Sequence, residues 1–257
     1  MDDHRRIALV TGAGRRAGIG AAICQALGRA DLDVLFTYWH PYDATMPWGV
    51  EPDAPDALER EVRASGVRCH GVALDLSQPD AAARLLDASV NRIGLPSVLV
   101  NNAAVSFDTD YLSLDAASLD AHYAVNLRAT ALLCAELARR HPAGTAGRIV
   151  NLTSGQSLGP MPGELAYAAT KGAIEALTMS LAPPLAELGI TINAVNPGPT
   201  DTGWMSEEIK AHVRAKSPTG RIGAPEDCAR LVAFLASDEA GWITGQVINS
   251  EGGFIRG

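Results

Sequence analysis

The chain has 257 residues, 47% of them hydrophobic and 19% charged, with a formal net charge of −8. That apolar fraction is ample for a core, so general disorder is excluded. With no block of Lys or Arg, the acidic balance argues against nucleic acid or an anionic membrane as a partner.

From the amino terminus, Met1 and five polar residues lead into an apolar stretch of only four, 7–10, which is too short for a signal peptide. Short β-branched runs then alternate with Ala/Leu-rich segments. Strands are predicted at 7–10, 34–38, 68–74, 97–101, 148–152, 190–195 and 246–249. Helices are predicted at 19–30, 54–65, 79–93, 115–140, 164–188 and 225–236. Ser77-Gln-Pro-Asp80 offers an N-cap followed by Pro and an acid, and Ala224-Pro-Glu-Asp227 places Pro225 in the first turn with two acids behind it. Residues 40–55 carry several prolines and read as an elaborated loop after the second strand. The alternation predicts a single α/β domain over 1–257, a Rossmann-type doubly wound sheet of about seven mostly parallel strands with helices on both faces. No apolar run approaches the roughly 18 residues of a membrane span. Four dispersed cysteines suit a reducing cytoplasm better than a disulfide framework, and neither they nor the six histidines show metal-ligand spacing. The histidines read as surface or loop residues.

The first chemical signal is Thr11-Gly-Ala-Gly-Arg-Arg-Ala-Gly-Ile-Gly20, a glycine-rich turn between a strand and a helix. Such a turn lets the backbone approach a pyrophosphate, which the helix N-terminus then holds. Two registers compete, Gly12-x-Gly14-x-x-Ala17 and Thr11-Gly12…Gly18-x-Gly20. The second signal is Tyr167-Ala-Ala-Thr-Lys171. At i and i+4 the phenol and ammonium share a helix face, and a nearby cation favours the phenolate, so the pair can handle protons. Ser154 follows the apolar strand 148–152, at the sheet end where open α/β proteins bind ligands.

With these motifs in order, the sequence resembles the short-chain dehydrogenase/reductases, closest in flavour to 3-oxoacyl-acyl-carrier-protein reductases. The matching pieces are Thr11-Gly12…Gly18-Ile19-Gly20, Asp75-Leu76, Asn101-Asn102-Ala103-Ala104, Asn126, Ser154, Tyr167/Lys171, Asn196-Pro197-Gly198 with Thr202, and Ile243-Thr-Gly-Gln…Glu251-Gly-Gly253. The resemblance implies Tyr167 as general acid/base, Ser154 as hydrogen-bond partner of the carbonyl oxygen, and Lys171 on the nicotinamide ribose. It implies Asn126 holding a proton-relaying water, Asp75 meeting the adenine, and Asn102-Ala103 lining the cofactor. Pro197-Gly198 and Thr200 or Thr202 would flank the carboxamide. The turn holds five residues, Ala13 to Ala17, where the family usually has three. It must bulge, leaving open which of Arg15 and Arg16 faces the phosphates. Pro183-Pro184 predicts a kink or break near Ala182.

The expected reaction is hydride transfer between a nicotinamide and a small ketone, aldehyde or alcohol. A 3-oxoacyl-carrier reductase is the alternative, and a non-catalytic nucleotide sensor the reading from another class. NADP(H) is expected over NAD(H): the second strand ends on Tyr38 followed by Trp39, Asp33 sits at its wrong end, and Asp43 lies beyond Pro41 in the loop. Arg15 and Arg16 offer guanidinium groups to a 2′-phosphate. Segments 105–112, 155–164 and 200–221, the last as a lid, should surround the substrate. They offer Phe107, Met161, Trp204 and Met205 as apolar contacts and Gln156 and Glu164 as polar ones. A homo-oligomer, tetramer or dimer, is implied by the family and by two helices apolar on most sides.

Overall fold

The structure is a computed structural model that describes residues 5–256. The sequence expectation about a signal peptide rests in part on residues 1–4, which lie outside the described residues. Among the described residues there are seven strands: β1 (Ile7–Val10), β2 (Asp33–Tyr38), β3 (Cys69–Ala73), β4 (Val98–Asn101), β5 (Gly147–Leu152), β6 (Ile190–Asn196) and β7 (Val247–Asn249). They form one sheet in the order β3-β2-β1-β4-β5-β6-β7, and every pairing is parallel. All seven predicted strands are therefore found, and the mostly parallel sheet is wholly parallel.

Side chains alternate across a pleated strand, and in β1 that alternation feeds two cores. Ala8 and Val10 face a layer with Ile23, Leu27, Leu58, Val62, Val232 and Leu235. Ile7 and Leu9 face the other layer, with Leu85, Leu86, Leu133, Leu137 and Leu185. The first layer is roofed by α1 (Ile19–Arg29), α3 (Ala54–Arg63) and α9 (Pro225–Ala236), the second by α4 (Ala81–Arg92), α6 (Thr130–Arg140) and α7 (Leu165–Ala186). Burial on both faces is why these strands read as continuous apolar runs. The strand order reverses between β1 and β4, so a crevice opens beyond their carboxyl ends, where such sheets bind ligands.

Several local expectations are corrected. Residues 115–140 are not one α-helix: α5 (Ala116–His122) passes into a π-helical segment (Tyr123–Ala129) before α6. Ser77 does not cap α4; Asp80 is the N-cap, without a side-chain bond, and the Ser77 N–H is drawn instead to Asp75 Oδ1 at 2.9 Å. Pro225 does occupy the first turn of α9, and Asp227 Oδ2 accepts the Ala224 N–H at 2.9 Å. No break occurs at Pro183-Pro184, since α7 runs unbroken to Ala186. The carbonyls deprived of donors belong to Met179 and Ser180. Both residues are exposed, so water can serve those carbonyls, while buried Ala182 and Leu185 anchor the turn. The loop 40–55 contains a one-turn helix α2 (His40–Asp43), and the lid segment 200–221 contains α8 (Glu207–Lys216), neither of which was predicted. His122 is fully buried rather than on the surface. Asp33 begins β2 and is paired with Arg68 at 2.6 Å, at the opposite end from the crevice.

Candidate active site

At the β1–α1 turn, Gly12 has φ +74°, and a Cβ there would stand 2.6 Å from Ala103 Cα. Only glycine lets this turn lie against the end of β4. Asn102 fastens it, donating from Nδ2 to the Thr11 and Gly12 carbonyls at 2.9 and 2.8 Å. The Thr11 hydroxyl returns the contact by accepting the Asn102 and Ala103 N–H groups, both at 3.0 Å. Gly18 is the N-cap of α1 and supplies no side-chain cap, which leaves the helix's first N–H groups free for a phosphate.

The turn opens on a cleft of about 300 Å³ lined by Gly12, Gly14, Arg15, Gly18, Ile19, Tyr38, Trp39, Asp75, Leu76, Asn102, Ala103, Ala104 and Thr202. The open question of the two arginines has a geometric answer. Arg15 turns into the cleft, its guanidinium 4.1 Å above the Trp48 ring and one Nη donating to Thr202 Oγ1 at 3.2 Å. Arg16 turns outward, 3.8 Å from Glu61 and more than half exposed. Asp75 lines the cleft with its oxygens already engaged by Gln78 and Ser77. Burial alone would raise its pKa, but these hydrogen bonds hold it below the usual carboxylate value.

Asp43 overturns a premise of the sequence reading. The sequence placed it away from the cofactor, but α2 folds it back into the cleft wall. It is 7% exposed, and its Oδ2 is 3.1 Å from where a Cβ on Gly14 would stand. Trp48 Nε1 donates to its other oxygen at 3.1 Å. Burial lowers the Arg15 pKa, and the charges of Asp43 and Glu51 oppose that fall. Tyr42, Asp43 and Trp48 were all missed as cleft residues. The available signal was two aromatics and an acid in a loop directly after β2.

Ser154 follows β5, and Tyr167 and Lys171 rise from the first two turns of α7, whose entry is fixed by Thr109 accepting the Ala166 N–H at 3.1 Å. The ammonium and phenol share a face as expected, with Lys171 Nζ 5.4 Å from the Tyr167 ring centre. The ammonium donates to the Leu152 carbonyl at 2.7 Å, and burial lowers its pKa to about 8. The Tyr167 phenol moves opposite to the sequence expectation. Burial pushes its pKa up, Glu164 adds to the rise, and only the Ser154 hydroxyl favours the phenolate. The main cause is burial, which disfavours the charged phenolate.

Asn126 lies in the π-helical segment with its side chain fully engaged. Its Oδ1 accepts the Val105 N–H at 2.8 Å, while Nδ2 donates to the Val105 carbonyl at 3.0 Å and to Thr170 Oγ1 at 3.1 Å. It ties the 105 loop to the Tyr167 helix. A relayed water would be left its backbone carbonyl, which also accepts the Thr130 hydroxyl at 2.8 Å.

The proposed substrate residues divide. Met161 and Glu164 line a second recess of about 540 Å³ together with Asp108, Asp110 and Ser113. Burial raises the Glu164 pKa, and the neighbouring Asp108 charge adds to the rise. Phe107 is partly exposed and packs edge-on against Tyr42 and His122. Gln156 is a correction: its amide turns onto α7, donating to Glu175 at 2.6 Å. Met205 is another, a member of the lid segment buried at 6% exposure, and Trp204 is half exposed with its indole N–H on the Thr200 carbonyl. Thr200 is turned into its own loop, donating to the Pro197 and Gly198 carbonyls. Thr202, the other candidate, faces the cleft. Pro197 lies on a separate recess with Thr219 and Glu251, beside Gly198.

The family model described as enoyl-(acyl carrier protein) reductase matches residues 12–255. The chain belongs to the short-chain dehydrogenase/reductase family. It is an oxidoreductase acting on CH–OH groups. It is 53% identical over 99% of its length to the uncharacterized oxidoreductase YjdA of Bacillus subtilis, of which 98% is covered. The 3-oxoacyl-[acyl-carrier-protein] reductase FabG of Aquifex aeolicus is 34% identical, with 97% of each chain covered. Among solved structures, the angucycline C-6 ketoreductase LanV with bound NADP superposes with a TM-score of 0.84 at 32% identity, covering 96% of this chain and 95% of that one. Among the described residues no helix is long and apolar enough to cross a membrane, and no cluster of three metal-ligating side chains occurs.

Proposed function

We propose that this chain is an NADP(H)-preferring reductase of small ketones or aldehydes that also runs in the alcohol-oxidising direction. The observation that carries it is Tyr167 hydrogen-bonded to Ser154 with Lys171 Nζ 5.4 Å from its ring centre, together with a cleft whose glycine turn and open helix N-terminus fit a dinucleotide. When bound, the nicotinamide would supply the hydride. Tyr167, protonated at neutral pH as a phenol ordinarily is, donates its proton to the carbonyl oxygen, and Ser154 shares that oxygen by a hydrogen bond. Lys171 holds its ammonium on the Leu152 carbonyl at the face of the Tyr ring, and would bind a ribose hydroxyl of the cofactor. Asn126 keeps the 105 loop against α7, and the segment 200–221 closes the far side as a lid. Arg15 is the group for a 2′-phosphate, and the cofactor named with LanV is consistent with that.

A carrier-linked 3-oxoacyl substrate is disfavoured. The end of α7 offers Glu187 and no base, and the recess beside Tyr167 is lined by Asp108, Asp110 and Glu164. Arg139 and Arg140, the available bases nearby, are paired with Glu136 and Asp87 at 2.7 and 2.6 Å. Like charge slows encounter with an acidic carrier and opposes docking. The test is a spectrophotometric screen of small ketones, aldehydes and alcohols with both cofactors, which a nucleotide sensor would fail throughout. The chain is expected to assemble as a homo-oligomer in a cytoplasmic setting, and a strictly monomeric mass by light scattering at micromolar concentration would count against the assembly.

A further inference from the structure

The carboxyl-terminal tail crosses the segment that carries Ser154. A Cβ on Gly155 would stand 2.4 Å from an Arg256 Nη and 3.0 Å from its Cζ, and one on Gly159 would stand 3.2 Å from Arg256 Cδ. The guanidinium and its stem therefore lie flat along 155–159, which two glycines allow. Arg256 is held there from below. It pairs through both Nη atoms with the Glu251 carboxylate, one contact at 2.6 Å, and lies 5.3 Å over the Phe254 ring.

Glu251 is itself fixed. Its side chain is 7% exposed, and Oε1 also accepts Asn196 Nδ2 at 2.7 Å. Its stem packs so closely on Gly198 that a Cβ there would be 2.8 Å from Cγ. One residue before Arg256, the Ile255 N–H donates to the carbonyl of Lys216, the last residue of α8. The tail thus touches the Ser154 loop, the loop after β6 and the end of the lid helix at once. A two-point Arg–carboxylate pair is directional, and here its acceptor is locked by a second donor.

We infer that Arg256 is a positioning residue: with Glu251 it clasps the lid helix end to the loop that aims Ser154. The inference rests on the reading of Ser154 given above. Hydrogen exchange on wild type, Arg256→Ala, Arg256→Lys and Gly155→Ala tests it without relying on turnover. Arg256→Ala should speed exchange about tenfold in peptides covering 155–163 and 214–220 while leaving β1 and α1 unchanged. Gly155→Ala should displace the guanidinium and produce the same effect, and the double variant should add nothing further. Arg256→Lys, which can keep one contact to Glu251, should restore part of the protection.

In parallel, NADPH oxidation with ethyl acetoacetate and 4-nitrobenzaldehyde should show kcat reduced about tenfold in Arg256→Ala. The NADPH dissociation constant, read by tryptophan fluorescence, should stay within about twofold. Unchanged exchange at 155–163, a uniform rise across the chain, or multiplicative effects in the double variant would overturn the clasp. If wild type reduces neither probe nor any other carbonyl, the functional reading fails, and the exchange pattern alone still decides the clasp.

Discussion

Substituting Arg15 and Asp43 one at a time should move cofactor preference in opposite directions. Arg15 is drawn into the cleft over Trp48, and Asp43 stands in the same wall with its second oxygen 3.1 Å from the Cβ position of Gly14. A charge-assisted hydrogen bond to a 2′-phosphate contributes about 1.5–3 kcal/mol. Arg15→Ala should therefore lower kcat/KM for NADPH by about 10- to 150-fold and leave NADH nearly unchanged. A like charge 4 Å away costs about 1 kcal/mol in water and about 4 kcal/mol at an effective dielectric of 20. The cleft is partly solvated and Arg15 offsets part of the field, so the lower end of that range applies to Asp43. Asp43→Asn, which keeps an oxygen for the Trp48 indole, should raise NADPH preference by about five- to thirtyfold. Wild type should still favour NADPH about tenfold in kcat/KM, a difference of about 1.4 kcal/mol. The assay is steady-state reduction of one ketone at saturating concentration, with each cofactor varied in turn. Equal losses with both cofactors in Arg15→Ala, or an unmoved ratio in Asp43→Asn, would refute the assignment.

Tyr167→Phe should lower kcat by about 10²–10⁴-fold with cofactor binding nearly unchanged; retention of a tenth of wild-type turnover would remove the phenol from the role of acid. Lys171 is a base whose folded pKa, about 8, lies below its ordinary 10.5, so its ammonium is lost as pH rises through 8. The folded state then binds fewer protons than the unfolded chain between about 8 and 10.5, and the stability cost of burying the charge is relieved as pH rises through that window. In activity, kcat/KM for the cofactor should fall above pH 8 in wild type. In Lys171→Arg, which stays charged, that fall should be absent up to about pH 10; a limb that persists in the Arg variant would assign it to another group. Small free ketones should be turned over faster than carrier-linked 3-oxoacyl substrates, and the reverse order would return the chain to the carrier-dependent reading.

Much of this protein follows from local sequence. The strands are marked by short separable runs, and in the inner strands β1, β4, β5 and β6 burial on both faces leaves no alternation of exposed residues. The glycine turn and the Tyr167/Lys171 spacing were legible because backbone approach and helical periodicity are properties of a few consecutive residues. What the sequence left open depends on long-range packing. Arg15 and Arg16 are adjacent, and only the fold of 40–55 places Trp48 above one of them. Asp43 is distant along the strand count but near in space, because α2 doubles back across the cleft mouth. Pro183-Pro184 breaks no helix here, since solvent exposure of the orphaned carbonyls is a tertiary fact. The phenol of Tyr167 rises rather than falls because the fold buries it beside Glu164, while the Lys171 ammonium meets the Leu152 carbonyl. Residue types and spacings determine which groups can meet at the carboxyl end of the sheet. The direction in which each charge points is set by partners from other elements, and only the assembled fold supplies them.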